Sequence, residues 1–309
     1  MNPINLETVI NEYVLRPFAE GIEFFFETVL GYHFPKEGCR AGSALEQRLC
    51  NEGPESNDRP DKYALLFSGS NGIHDMVTIS RAYHSLQELG FDRDNIYILD
   101  EDGREEALCL DGLDRIIAQY RSDGIASPEN LEKMFKHLSG KIDNKDTLLA
   151  LVAGHGERIP VNLRSTNRRD RHCDEQKETC ISTIVLADEK EINEITLKNY
   201  FDTIHPGTGI LIFTGCYSGG IAGQFKKGGY IAVSASRADE PAHVSENDFA
   251  WEIVRALTDE RADTNADGRI SIKESFDLAT SISYGDMYGD PPSIPQLFSE
   301  IDPSQIFLK

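Results

Sequence analysis

The sequence predicts an α/β protein, a three-layer α/β/α sandwich with a mostly parallel central sheet. An N-terminal helical extension precedes the sandwich, and a helix–loop–helix lies toward its C-terminal end. Three observations predict this. Two apolar runs of strand length, Thr147–Ala153 and Gly209–Thr214, stop at small residues and each deliver one reactive side chain, His155 and Cys216. Strand-like and helix-like periodicities alternate from Tyr63 onward, as expected for strands covered by helices on both faces. An acidic stretch, Asp263 to Glu274, stands between two helical periodicities.

In chain order, Val9, Tyr13, Leu15, Phe18 and Ile22 recur at helical spacing between Leu6 and Tyr32, ahead of Phe24, Phe25 and Phe26. Glu23 and Glu27 interrupt that cluster and its flank is not basic, so it reads as core contact and not as a membrane anchor. A polar linker runs from Pro35 to Asp61. Residues 1–60 are therefore expected to form the extension and residues 61–309 the main domain. Within the latter, strands are expected at Tyr63–Ser68, Asn95–Leu99, Thr147–Ala153, Thr183–Ala187, Ile210–Thr214 and Tyr230–Ser234. Helices are expected at Met76–Leu89, Pro128–Leu138, Ile195–Phe201, Phe249–Leu257 and Ile272–Ala279. Ser127 suits the cap of the Pro128 helix, and proline suits its first position. Asn162 to Lys177, with Arg164, Arg168, Arg169 and Arg171, reads as an exposed loop. Either this loop or the stretch between Cys50 and Asp61 is open to maturation cleavage.

Composition narrows the function. A chain of 309 residues with 39% hydrophobic content buries a sizeable core. A formal charge of −21 excludes the phosphate backbone of nucleic acid as a partner, because that contact depends on Lys and Arg. No apolar stretch is long enough to span a bilayer, and the first residues lack a secretory signal, so the cytoplasm is the expected location. Of six cysteines, Cys39 and Cys50 share one polar loop and Cys173 and Cys180 another. They read as short-loop disulfides in an oxidising compartment, as a distant metal site of no familiar zinc spacing, or as free thiols in a cytosolic protein. Cys109 has no evident partner, and Cys216 alone has a context that suggests chemistry.

That context is a nucleophile–base pair. In an open parallel sheet the carboxyl ends of the strands share one edge, where ligands collect. Delivered there, His155 takes the Cys216 proton and later returns it to a leaving amine. Asn71 or a backbone carbonyl orients the imidazole, and the N–H groups of Gly156 and Cys216 face the developing oxyanion. Ser218 is out of register with the G-x-S-x-G nucleophile pattern.

Three motifs carry a resemblance: Phe67-Ser68-Gly69-Ser70-Asn71-Gly72, Gly154-His155-Gly156, and Gly215-Cys216-Tyr217-Ser218-Gly219. In this order the chain resembles the caspase-fold cysteine peptidases, which include caspases, metacaspases and legumain, and it looks most like legumain. The resemblance spans roughly residues 61–300. It implies a caspase-like fold and a cysteine endopeptidase acting on protein or peptide, with Cys216 and His155 catalytic and Asn71 orienting the histidine. Val77 and Thr78 fall where legumain carries its Arg-His pair, and Arg81 falls near its following Asp. The segment containing Ser234, Ser236, Arg237, Asp239 and Glu240 corresponds to one wall of the specificity pocket. Asp239 or Glu240 facing inward suits a basic substrate residue, whereas Arg237 or Arg81 facing inward suits an acidic one. Each reads equally as a solvated surface charge.

The acidic stretch matches the EF-hand loop pattern at every constrained position. Asp263, Asn265, Asp267, the Arg269 carbonyl and Glu274 supply oxygen ligands for one calcium ion, Ser271 holds a water, and Gly268 makes the turn. A single loop lacks the usual paired loop, so a fixed structural ion is expected. No organic cofactor is expected. Two function classes follow: a calcium-binding cysteine endopeptidase, or a catalytically inactive caspase-fold calcium-binding interaction module.

Overall fold

Strands buried on both faces need near-continuous apolar runs, and this chain supplies them in KYALLFS, TLLALVA, TGILIF and YIAVS. The computed structural model describes residues 44–52, 60–70, 72–103, 105–109, 116–161, 173, 179–242, 249–283 and 293–309. The chain divides into two units, Met1–Gly53 and Pro54–Lys309. In the first, helix α1 (Ala44–Asn51) occupies part of the stretch predicted as a linker. Leu45 and Leu49, one helical turn apart, are the signal among its polar neighbours, and Arg48 pairs with Glu52 at 2.9 Å. The predicted helix from Leu6 to Tyr32, Cys39, and the arginine-rich loop apart from Cys173 lie outside the described residues.

The second unit runs β1 (Lys62–Ser68), α2 (Ile73–Glu88), β2 (Ile96–Asp100), β3 (Glu105–Cys109), β4 (Ile116–Arg121), β5 (Gly124–Ile125), α3 (Pro128–Lys141) and β6 (Thr147–Ala153). It continues through β7 (Gly156–Pro160), β8 (Cys180–Val185), β9 (Glu191–Asn193), α4 (Glu194–Phe201), β10 (Thr208–Phe213), α5 (Ser218–Gly223), β11 (Tyr230–Ser234), α6 (Phe249–Ala256), α7 (Ile272–Ile282) and β12 (Gln296–Phe298). The seven-stranded sheet has the order β12-β11-β10-β6-β1-β2-β5. Every pairing in it is parallel except β11 with β12.

Period-2 alternation sorts the sheet residues between two apolar layers. Leu66, Leu149, Leu151, Ile210, Ile212, Ile231 and Val233 pack with Ile79 and Leu86 of α2, Phe249 and Ile253 of α6, and Ile272 and Ala279 of α7. On the other face, α4 contributes Phe201, whose ring meets Phe135 of α3 at 4.8 Å and Phe225 at 5.5 Å. Phe225 in turn stacks on Phe213 of β10 at 5.7 Å. Helices thus cover both faces of a mostly parallel sheet, as the periodicity predicted.

Three elements differ from expectation. The predicted strand Thr183–Ala187 is β8, which pairs antiparallel with β7 and β9 in a separate three-stranded sheet. Its partner, β7, follows directly from His155, a pairing across more than twenty residues that no local periodicity reveals. The stretch that ends at Cys109 is β3, which pairs antiparallel with β4 as a hairpin that no predicted element anticipated. Cys173 and Cys180 are joined by a disulfide with Cα atoms 5.9 Å apart, and Cys50 is also disulfide-bonded. The free-thiol reading fails for these residues, and the bonds fit an oxidising compartment better than the cytosol.

Leu151 is fully buried on β6, the central strand. Leu151→Ala is expected to lower unfolding free energy by about 2–5 kcal/mol, measured by urea denaturation at constant slope.

Candidate active site

Three strand ends build one edge. β1, β6 and β10 lie side by side with Ser68 opposite Ala153 and Val152 opposite Phe213. The turns after them therefore emerge together. After β1, Ser68 Oγ donates to the Ser70 carbonyl at 2.9 Å, and Ser70 Oγ accepts from Gly72 N–H at 3.1 Å. Asn71, between them, lies outside the described residues. A methyl on Gly69 would overlap the Val185 carbonyl, so that turn is pressed against β8.

After β6, Gly154 takes φ +108°, a backbone conformation L side chains rarely adopt, and a methyl there would meet Ser68 Oγ at 3.2 Å. His155 follows with its side chain exposed, and its carbonyl accepts from Val185 N–H at 2.9 Å. A methyl on Gly156 would overlap the Cys216 carbonyl oxygen, and one on Gly215 would stand 2.7 Å from the Gly154 carbonyl oxygen. The His155 and Cys216 turns therefore touch backbone to backbone, through glycines.

Cys216 is a free, partly buried thiol whose Sγ lies 3.6 Å from the Ala242 carbonyl. Burial pushes this thiol up, and the negative charge of Asp75 pushes it the same way. Tyr217 takes φ 57°, an uncommon left-handed conformation for a tyrosine, and its N–H donates to the Glu240 carbonyl at 3.0 Å. α5 begins one residue later and is braced from below. Ser218 Oγ lies 3.4 Å from Ser236 Oγ, Ser236 Oγ donates to the Gly215 carbonyl at 3.4 Å, and Ser234 Oγ donates to the Ser236 carbonyl at 2.9 Å. Ser234 and Ser236 are fully buried, so their hydroxyls support the Cys216 turn from within.

The charges weighed for a specificity pocket are engaged elsewhere. Arg237 and Asp239 pair with each other at 2.6 Å, both about half exposed. Glu240 Oε1 accepts from the N–H groups of Arg237 at 3.1 Å and Ile294 at 2.7 Å. Arg81 is exposed and lays its guanidinium over the Trp251 ring at 4.4 Å. Two carboxylates near the site escaped sequence reasoning. Asp75 lies in the first turn of α2, and its place directly after the Gly72 turn was the available signal. Glu194 is buried, with Oε2 accepting from Ser182 N–H at 2.9 Å and Oε1 from Gln224 Nε2 at 3.1 Å. Burial raises its pKa against these bonds. Gly220 of α5 packs so closely that an added methyl would overlap Ser182 Oγ.

At the acidic loop, Asp263 Oδ2 accepts from Gly268 N–H at 2.9 Å, Asn265 Oδ1 from Asp267 N–H at 2.8 Å, and Asp267 Oδ1 from Arg269 N–H at 2.9 Å. Glu274 Oε2 accepts from Ser271 N–H at 3.0 Å, completing a capping box at the start of α7. Among the described residues, no group of three or more His, Cys, Asp or Glu side chains stands together as a ready metal cluster. The donor set is all oxygen, which fits a hard cation. The chain's C-terminal segment pairs at the exit of the loop, through a Ser271–Phe307 bridge and an Ile272 N–H to Ile306 carbonyl bond of 3.0 Å.

No protein-family model matches the sequence, and no curated protein does. Among solved structures, the chain is similar to a crystal structure of a protein from Geobacter sulfurreducens, with 11% identity, a TM-score of 0.48, and coverage of 80% of this chain and 97% of that one.

Gly156→Ala is expected to destabilise the fold by about 1–3 kcal/mol, because the methyl meets rigid backbone. Gly140→Ala, whose methyl meets nothing within 4 Å in α3, is expected to stabilise by up to about 1 kcal/mol. Paired denaturation curves distinguish the two.

Proposed function

We propose that this protein is a cysteine endopeptidase of the caspase-like, legumain-resembling type. The observation that carries the reading is the pairing of β6 with β10, which brings the His155 and Cys216 turns into backbone contact at one sheet edge. In this reading Cys216 sulfur attacks the scissile carbonyl, and its proton passes to His155. The tetrahedral oxyanion is met by the N–H groups of Gly156 and Cys216. Collapse expels the amine, which receives the proton from His155 and leaves a thioester on Cys216. Water, deprotonated by His155, then hydrolyses the thioester and frees the thiol. Asn71 is assigned the role of orienting the imidazole.

One calcium ion belongs to the same proposal, held by Asp263, Asn265, Asp267, the Arg269 carbonyl and Glu274. The all-oxygen donor set and the sharp turn at Gly268, φ +81°, support it. Pairing of the C-terminal segment with the loop exit supports a structural ion, since that segment stands where a second loop would otherwise be needed. Among the described residues, no helix is long and apolar enough to cross a membrane. A second reading, an inactive calcium-binding module, is favoured by one observation: the Cys216 thiol is held toward its neutral form by burial.

Acyloxymethyl-ketone peptide probes separate the two readings. A single adduct on Cys216 by intact mass, at least about tenfold slower in His155→Ala, is the expected result. Absence of any adduct in folded protein favours the module. For the ion, saturating calcium is expected to stabilise the chain by about 2–3 kcal/mol at a hundredfold excess over Kd. Thermal unfolding with Glu274→Gln checks this, because a shift that survives the substitution places the ion elsewhere.

A further inference from the structure

Residues 237–242, which follow β11, cross the turn that carries Cys216 and are tied to it at several points. Tyr217 N–H, the amide next to the nucleophile, donates to the Glu240 carbonyl at 3.0 Å. Arg158 Nη1, from β7, donates to the Ala238 carbonyl. A methyl on Gly219 would stand 2.7 Å from the Ala238 nitrogen, so the segment also lies close on α5. The Glu240 side chain closes the arrangement. Its Oε1 accepts from Arg237 N–H at 3.1 Å and from Ile294 N–H at 2.7 Å, which joins the start of the segment to the stretch leading into β12. Two residues beyond Glu240, the Ala242 carbonyl accepts from Cys216 Sγ at 3.6 Å.

A peptide group in contact with sulfur fills one approach to it, and the partial burial of the Cys216 thiol is the same cover seen from the sulfur. Hydrogen bonds to a carboxylate are stronger than those between neutral groups. The neighbouring charges add nothing to the tie, because Arg237 and Asp239 pair with each other. Glu240 thus spends its charge on the backbone of its own segment. We propose that Glu240 is a positioning residue: it holds residues 237–242 over the nucleophile turn, so that Ala242 covers Cys216 in the resting protein. The catalytic meaning of this cover rests on the peptidase reading above. On that reading a substrate displaces Ala242 before its carbonyl meets the sulfur, and the bond from Ile294 to Glu240 sets the cost of the displacement.

The test is alkylation of the folded chain by iodoacetamide, with the rate read from the mass of the peptide that contains Cys216. No reductant is added, so the disulfide-bonded cysteines stay silent. Iodoacetamide carries no side chain to be recognised and reports access to the sulfur alone. Glu240→Ala removes both accepted bonds and is expected to speed alkylation at least about fivefold. Glu240→Gln keeps an oxygen for the same two N–H groups and is expected to stay within about twofold of the wild-type chain. Leu86→Ala, at the far end of α2 from the sheet edge, loosens the buried core without touching the segment and is also expected to stay within about twofold. A Glu240→Ala rate within about twofold of wild type, or slower, overturns the inference. An equal rise in Leu86→Ala overturns it too, since the effect is then one of general loosening. An acyloxymethyl-ketone peptide probe run alongside keeps the two readings apart. Labelling of Cys216 by the probe, with alkylation indifferent to Glu240→Ala, leaves the peptidase reading standing and removes the cover. Faster alkylation in Glu240→Ala with no probe labelling in either chain supports the cover and overturns the peptidase reading, and with it the cover's catalytic role.

Discussion

The parallel pairing of β6 with β10 is the constraint on which the site depends. Gly209 to Phe213 run in register with Leu148 to Val152, and both strands are buried on both faces. A register slip in such a pair would exchange the two apolar layers and strand every side chain against the wrong helices. The same register fixes where the strands end. The backbone contact between Gly156 and Cys216 is thus a consequence of core packing, before any catalytic interaction is considered. Residues that pack the sheet and residues that perform chemistry are parts of one alignment.

Holding a thiol at that edge requires a turn that is rigid and yet exposes sulfur. Glycines at 154, 156 and 215 let the two turns approach, and the left-handed Tyr217 reverses the chain into α5. Beneath the turn lies a polar layer that is buried but bonded. The hydroxyls of Ser218 and Ser236 meet each other, Ser236 Oγ donates to the Gly215 carbonyl, Ser234 Oγ donates to the Ser236 carbonyl, and Glu194 accepts from Ser182 N–H and Gln224 Nε2. Buried polar groups of this kind are costly if any member loses its partner, which makes the arrangement specific to one geometry. Glu194 shows the tension directly, since burial favours its neutral form while Ser182 N–H and the nearby Arg158 charge favour the ionised one.

Much of this was legible in the sequence because the strands are continuous apolar runs that end in glycine, and such runs are strong local signals. His155 and Cys216 stand out for the same reason, each being the first reactive side chain after such a run. What was not legible depends on contacts distant in sequence. β8 has the composition of a core strand, yet its hydrogen bonds go to β7, on the far side of the loop closed by Cys173 and Cys180. Ser234 and Ser236 lie in the segment matched to a pocket wall, but the parity of β11 and the bend after it turn their hydroxyls inward under Cys216. The charges of Arg237, Asp239 and Arg81 could not be assigned from sequence, because each depends on a partner set by the fold. Asp75 was overlooked because an acidic residue in a first helical turn is ordinarily explained by the helix dipole alone.

The C-terminal segment ties the acidic loop to the frame of the site. Arg269 in the loop lies over the Phe307 ring at 3.6 Å, and the next residue, Leu308, offers its carbonyl to Lys62 Nζ at 2.6 Å. Lys62 also donates to the Leu89 carbonyl at 2.7 Å, and it is the first residue of β1. A single ammonium therefore joins the chain terminus, the end of α2 and the start of the strand whose far end leads toward Gly72. Burial lowers the pKa of this lysine, so its charge is retained at the expense of solvation and is compensated by two carbonyls. Phe307 and Leu308 thus connect the loop to the start of β1 and the end of α2, the two elements that flank the turn before Asp75. The loop and the sheet edge lie at different ends of these elements, and they are linked by packing and hydrogen bonds through a common frame.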